Sequence, residues 1–248
     1  MFSFFRKKSE SAEGSYFPMT VDIHSHILPG IDDGSPDLET SVELVQGLMA
    51  LGLRRSIATP HVISDLFRNT PDSIQAALQQ LRNELAKRQI AYTVDAAAEY
   101  MMDSYFLELL QSGNRLLTLK DNILLTEFSY ASRPDDPGRY SFEIQMAGYS
   151  PVLAHPERYP YFYDDYKTYH RLVDLGFMLQ LNLLSLSGHY GKGAVKAAQY
   201  MLKNELISLV GTDMHHVHHL HMLSNPKIQQ ELKSNLGHRS WNDFMDVS

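Results

Sequence analysis

The sequence predicts an α/β fold, a single distorted seven-stranded (β/α)7 barrel of TIM-like type. Three observations predict it. Strand-like apolar runs alternate about seven times with segments of helical period, which calls for parallel strands joined by crossover helices. Nearly every such run ends in a side chain able to hold a metal ion, and polar residues at the C-terminal ends of strands are how such barrels build a site. A length of 248 residues with 44% hydrophobic content suits one domain of this size. A doubly wound open sheet is the alternative assembly of the same elements.

The strand candidates are Val21 to His26, Ser56 to His61, Tyr92 to Glu99, Ile123 to Glu127, Pro151 to His155, Phe177 to Leu184, and Ile207 to Asp213. Between them, Leu38 to Leu51 repeats apolar residues at Leu38, Val42, Val45, Leu48 and Met49 and stops at Gly52. Thr70-Pro71-Asp72 reads as an N-cap with proline in the first turn, opening a helix through Ala76, Leu78, Leu81 and Leu85. Shorter helices fit Ser104 to Leu110, Tyr140 to Gly148, Asp164 to Leu175 and Lys192 to Lys203. No linker or repeat divides the chain, so residues 21–248 are expected to form one domain behind a mobile extension over residues 1–20.

Composition excludes several classes. A net charge of −7 argues against a nucleic-acid binder, which presents a basic face. The absence of cysteine excludes disulfides, thiolate metal sites and a cysteine nucleophile. The N-terminus places Phe2, Phe4 and Phe5 before Arg6, Lys7 and Lys8, the reverse of a secretory signal. No apolar run approaches the roughly 20 residues of a membrane span. The cytoplasm is therefore the expected compartment.

His24 and His26 lie two apart in an extended run, so both imidazoles turn to one side. Successive run ends add His61, Glu99, Glu127, His155, Asp213 and His215, and the Gly30-Ile31-Asp32-Asp33-Gly34 turn adds Asp33, with Asp32 able to replace it. Five imidazoles and four carboxylates suit manganese, iron or zinc, and exceed the needs of one ion. Two to three divalent ions with a bridging carboxylate are expected. Three ions against four carboxylates leave about +2, which a phosphate monoester near −2 complements. Arg158, three residues beyond His155, is placed to grip phosphate oxygens. Of the run His215 to His221, only His215 shares the Asp213 side; the remainder is expected to form mostly a rim loop, with one or two histidines near the substrate. The sixth strand, ending Asn182-Leu183-Leu184-Ser185, offers no strong ligand.

At these residues the chain resembles the polymerase and histidinol phosphatase (PHP) superfamily of metal-dependent phosphoesterases. The segments Asp22 to Gly34, Ala154 to Tyr159 and Gly211 to His215 narrow the resemblance to bacterial capsule and exopolysaccharide-operon protein-tyrosine phosphatases. It implies a seven-stranded barrel with three ions, commonly manganese. One ion would lie among His24, His26, Glu99 and Asp213, a second among Asp33, His61 and His215, and a third among Glu99, Glu127 and His155. It also implies hydrolysis of phosphotyrosine, including the C-terminal tyrosine cluster of a bacterial tyrosine kinase, by hydroxide held on the ions, with Arg158 on the phosphate. Family members place a second arginine after the Asp-x-His motif; this chain has neither arginine nor lysine over His216 to Leu223, and a histidine such as His219 stands in that region. Two other readings stay open: a small-molecule phosphomonoesterase acting on histidinol phosphate, and a non-catalytic metal-binding protein. An amidohydrolase would need lysine where Glu127 ends the fourth strand.

Overall fold

In chain order the elements are β1 (Val21–Asp22), α1 (Leu38–Ala50), β2 (Arg55–Ala58), β3 (His61–Ile63), β4 (Phe67–Arg68) and α2 (Pro71–Lys87). Then follow β5 (Thr93–Ala96), β6 (Glu99–Met101), α3 (Ser104–Gln111), β7 (Ile123–Glu127), α4 (Pro137–Met146) and β8 (Ser150–Ala154). The chain continues through α5 (Lys167–Asp174), β9 (Met178–Asn182), α6 (Gly191–Lys203), β10 (Ile207–Gly211), α7 (Val217–Leu223) and α8 (Pro226–Leu236). These assignments come from a computed structural model, which describes residues 17–246. Of the extension expected over residues 1–20, residues 1–16 lie outside the described part, and Met19 is buried and bridges to Trp241.

The strands form a mixed α/β arrangement of two sheets. One has the order β1-β2-β5 and the other, seven-stranded, the order β10-β9-β8-β7-β6-β3-β4. Every pairing is parallel except β3 with the short β4. The second and third expected strands are each cut in two, between β2 and β3 at Thr59-Pro60 and between β5 and β6 at Ala97-Ala98. Pro60 has no N–H to give a ladder, so a break there follows from its chemistry. Across the breaks Ala97 N donates to Ala58 O (2.8 Å) and Glu99 N to Pro60 O (3.1 Å), so the chains stay side by side.

β1 is shorter than expected, but the residues after it run beside those after β10. Asp213 N donates to His24 O, and His26 N to Met214 O, both at 2.8 Å. The core has two parts. A small inner cluster takes Val21, Ile23, Ile57, Ala97, Leu125, Val152 and Leu209 from successive strands and their continuations. The larger part packs the helices on the outside of the sheets. The inner residues form a dry floor on the same strands whose ends carry the polar side chains.

The histidine-rich run corrects an expectation. Residues 217–223 form α7, not a rim loop. Val217, Leu220 and Leu223 recur at helical spacing, and the last two are buried. A Cβ on Gly47 of α1 would lie 2.0 Å from Leu220, so only glycine lets the two helices approach this closely. α8 and the β3–β4 hairpin were not expected from the sequence. Among the described residues no helix is long and apolar enough to cross a membrane.

Candidate metal centre

All nine expected ligands converge, with Glu127 at the end of β7, His155 and Asp213 just past β8 and β10, and His61 and Glu99 at the breaks where β3 and β6 begin. Four overlapping groups of ligand atoms form: His26, Asp33, His61 and His215; His24, His26 and Asp213; His24, Glu99 and His155; and His61, Glu99 and Glu127. Within each group the atoms lie within 4.8 Å of one another. Glu127 thus falls with His61 and Glu99, whereas His155 falls with Glu99 and His24. Glu99 belongs to two groups and also reaches His26, with Oε2 3.3 Å from His24 Nε2 and 3.4 Å from His26 Nε2. Asp213 Oδ1 stands 3.3 Å from His24 Nε2 and 3.4 Å from His26 Nε2. Asp33, the most exposed of the nine, faces His61 and His215 at 3.5 Å each.

The backbone is bent to bring these groups in. His155 and Asp213 both occupy the left-handed region, with φ of 37° and 50°, at the ends of β8 and β10. Non-glycine residues are uncommon there, and such strain of order 1–3 kcal/mol concentrates at functional sites. Gly211 is required for clearance: a Cβ would lie 2.7 Å from His24 Cβ and 2.8 Å from Gln180 Nε2.

Three imidazoles are oriented from behind by groups that can only accept. His24 Nδ1 donates to Gln180 Oε1 and His26 Nδ1 to Asp32 Oδ2, both at 2.8 Å, and His215 Nδ1 donates to Asp213 O at 2.9 Å. Gln180 Nε2 donates to Leu181 O at 2.8 Å, which fixes the amide with its oxygen toward His24. Each ring therefore presents Nε2 to the cluster, the way ligating histidines are held. Asp32 acts from the second layer while Asp33 faces the cluster directly. Gln180 and Asn182 on β9 were not anticipated; Asn182 Nδ2 donates to Asp213 Oδ2 at 2.9 Å.

The polar atoms inside fit cations rather than one another. Glu99 Oε2, Glu127 Oε1 and His61 Nδ1 are buried and have no hydrogen-bond partner. Yet His61 Nδ1 is 3.2 Å from Glu99 and 2.9 Å from Glu127. Such contacts without hydrogen-bond alignment leave lone pairs aimed at shared space, a costly arrangement unless a cation binds there. Burial, the largest influence, pushes Glu99 up, but His24 and His61 outweigh it and hold the carboxyl well below its usual range. Burial and His26 pull His61 down, whereas Glu99 and Glu127 outweigh them and lift it to about 9. Burial, followed by Arg158, lowers His155 to about 4.

Arg158 lies at the cluster's edge, ion-paired through Nη1 with Asp213. Its guanidinium sits 4.1 Å from the centre of the Tyr190 ring and 5.2 Å from that of Tyr130. Tyr130 Oη also lies 3.0 Å from His155 Nδ1. Neighbouring Glu157 is fully buried, accepting from Asn182 N at 3.0 Å and Ser185 Oγ at 2.6 Å, and so ties the 156–158 turn to the end of β9. His219 is buried behind His215, whose N–H approaches its Nδ1 at 3.4 Å, and lies in the Arg158–Tyr190 wall.

A family model described as "Capsular polysaccharide synthesis, CpsB/CapC" matches residues 20–239. The chain belongs to the CpsB/CapC family. Within this family, "Tyrosine-protein phosphatase YwqE" of Bacillus subtilis (strain 168) is 32% identical over 198 residues, covering 79% of this chain and 78% of the relative. "Tyrosine-protein phosphatase CpsB" of Streptococcus pneumoniae is 31% identical over 206 residues, covering 79% and 83%. A crystal structure described as YwqE from Bacillus subtilis and CpsB from Streptococcus pneumoniae, "unique metal-dependent tyrosine phosphatases", superposes with a TM-score of 0.73 at 28% identity, covering 89% of this chain and 96% of that one. Histidinol phosphate phosphatase from Lactococcus lactis shares the fold, with a TM-score of 0.52 at 14% identity over 88% and 92% of the two chains.

Proposed function

We propose that this CpsB/CapC-family chain is a metal-dependent protein-tyrosine phosphatase. The observation that carries the reading is the orientation of His24, His26 and His215, each held at Nδ1 by an oxygen so that Nε2 faces a carboxylate, the buried and unpaired Glu99 Oε2 for His24 and His26 and the more exposed Asp33 for His215. Glu99, Glu127, Asp33 and Asp213 supply carboxylates, with His61 and His155 completing a set for two to three ions. Manganese is our first choice; iron and zinc suit the same nitrogen and oxygen donors.

When bound, such ions polarise a phosphoryl oxygen and bring the pKa of water toward neutrality. The protein's own groups do the rest. Arg158 offers a planar fork to phosphate oxygens, and its guanidinium lies over the Tyr190 ring and near that of Tyr130. Gln180, Asp32 and Asn182 hold ligands in place. The chain contains no cysteine, so no phosphocysteine can form.

The strands, in this reading, close into a distorted (β/α)7 barrel of PHP type, supported by the backbone bonds between residues 24–26 and 213–214. We infer a single phosphoesterase domain over residues 21–248, preceded by a short extension, a reading supported by the family match over residues 20–239. The substrate we infer is a tyrosine-phosphorylated protein, the C-terminal tyrosine cluster of a bacterial tyrosine kinase governing capsule synthesis. ATP-dependent tyrosine phosphorylation puts that encounter in the cytoplasm. Elemental analysis of protein purified without chelators, together with turnover of a phosphotyrosyl peptide and of histidinol phosphate, tests the reading. Two to three ions and preference for the peptide are expected; preference for histidinol phosphate moves the chain to the small-molecule branch, and a metal-loaded protein inert on both is a binding protein.

A further inference from the structure

The cleft over the ligand cluster has two unlike walls. One carries Arg158 and Tyr130; the other is carbon: Ile63, Leu66, Phe67 and Met101. The carbon wall comes from the β3–β4 hairpin and the end of β6. Among the described residues β4 makes the only antiparallel strand pairing, so the hairpin is an addition to the parallel pattern. Its base is pinned, with Arg68 Nε donating to Ser64 O at 2.5 Å and Ser64 N to Asp103 Oδ2 at 3.3 Å. Its tip is not covered: Leu66 is 72% exposed, the most exposed large apolar side chain described. Phe67 lies nearly parallel to the His61 ring, at 16° and 5.9 Å between centres.

We propose that this carbon wall binds the aromatic ring of the phosphorylated side chain, and that Leu66 is the residue that favours aryl over alkyl phosphates. The inference rests on the phosphatase reading and names the part of the substrate that reading leaves unassigned. With the phosphoryl group over the ligand atoms and Arg158 on its oxygens, the ester oxygen must leave toward one wall. Only the hairpin wall offers carbon without buried charge. The whole cleft, including the space over the ligand atoms, measures ≈ 250 Å³, against about 150 Å³ for an apolar cavity that takes benzene. A tyrosyl ring there removes Leu66 and Phe67 surface from water, whereas a seryl or other short alkyl ester leaves that wall wet.

The test compares kcat/KM for one peptide sequence carrying phosphotyrosine or phosphoserine, in manganese-loaded wild type, Leu66→Asn and Leu66→Phe. Leu66 is at an exposed tip, so both variants should fold. The phosphotyrosine-to-phosphoserine ratio should fall about 3- to 10-fold in Leu66→Asn, mainly through KM, and hold or rise in Leu66→Phe. An unchanged ratio in Leu66→Asn, or equal losses on both peptides, overturns the inference while leaving the phosphatase reading intact. Wild type that cleaves neither peptide overturns that reading itself, and this inference with it.

Discussion

The carboxylate of Glu99 and the imidazole of His61 approach to 3.2 Å in the interior, yet neither Glu99 Oε2 nor His61 Nδ1 makes a hydrogen bond. Two opposite partners this close would normally align. Their misalignment, repeated between His61 and Glu127 at 2.9 Å, marks space shaped for a cation. Glu99→Gln removes a charge that faces four imidazoles. It should lower bound metal by at least one ion per chain and cut phosphotyrosyl turnover at least ~100-fold, in line with the cost of disturbing groups that hold a metal. Elemental analysis and kinetics on the purified variant check both; normal metal content would remove Glu99 from the ligand set.

Gln180 tests the layer behind the ligands. Gln180→Ala leaves His24 Nδ1 without its acceptor and frees the ring to turn. Metal affinity should fall about 10- to 100-fold, measured by competition with a chelating dye, while thermal stability of the metal-saturated protein changes little.

The Gln180 signal was present in the sequence. Gln180 and Asn182 are polar residues two apart in the apolar run 177–184, so they face one side of their strand. Neither is a strong metal ligand, and only the fold shows that they face His24 and Asp213 and orient them. The nine strand-end candidates and the alternation of elements could be read locally, because period and strand-end position are local properties. The choice between Asp32 and Asp33 could not, since it depends on His26 reaching one and His61 and His215 facing the other. Five histidines over 215–221 hid the Val217, Leu220 and Leu223 spacing that folds the run into a helix against Gly47.

That contact gives a stability prediction. Gly47→Ala places a methyl into Leu220, and overpacking of this kind costs about 1–3 kcal/mol. Denaturant unfolding should show the loss, and Leu220→Ala in the same chain should recover part of it. Additive losses would mean that α7 does not pack against α1 as described.

Protons and metal ions compete for His61. Its pKa of about 9 lies above the ordinary 6.5 because Glu99 and Glu127 outweigh burial and His26, and an ion needs the neutral ring. In protein stripped by a chelator, the stability that protonated His61 contributes is full below pH 6.5 and lost as pH rises through about 9. Metal affinity should run the other way, rising between these pH values and then flattening. Calorimetric titration in buffers of different ionisation enthalpy should show proton release at pH 7 that disappears above pH 9; no release would contradict the assignment.

Arg158 should act on the phosphate. Loss of a charge-assisted contact costs about 1.5–3 kcal/mol, so Arg158→Ala should reduce kcat/KM for a phosphotyrosyl peptide by roughly one to two orders of magnitude. Arg158→Lys should not restore it, because a point charge cannot replace a planar fork lying over the Tyr190 ring. Full rescue by lysine would reduce the role to bulk charge.

The most direct measurement is phosphate release from a phosphotyrosyl peptide by protein first stripped with a chelator and then supplied with manganese, iron or zinc. The account predicts no turnover after stripping, recovery with at least one of these ions and most strongly with manganese, and indifference to thiol alkylation. Sustained turnover in the stripped protein, or none after reloading with any of the three, would contradict it.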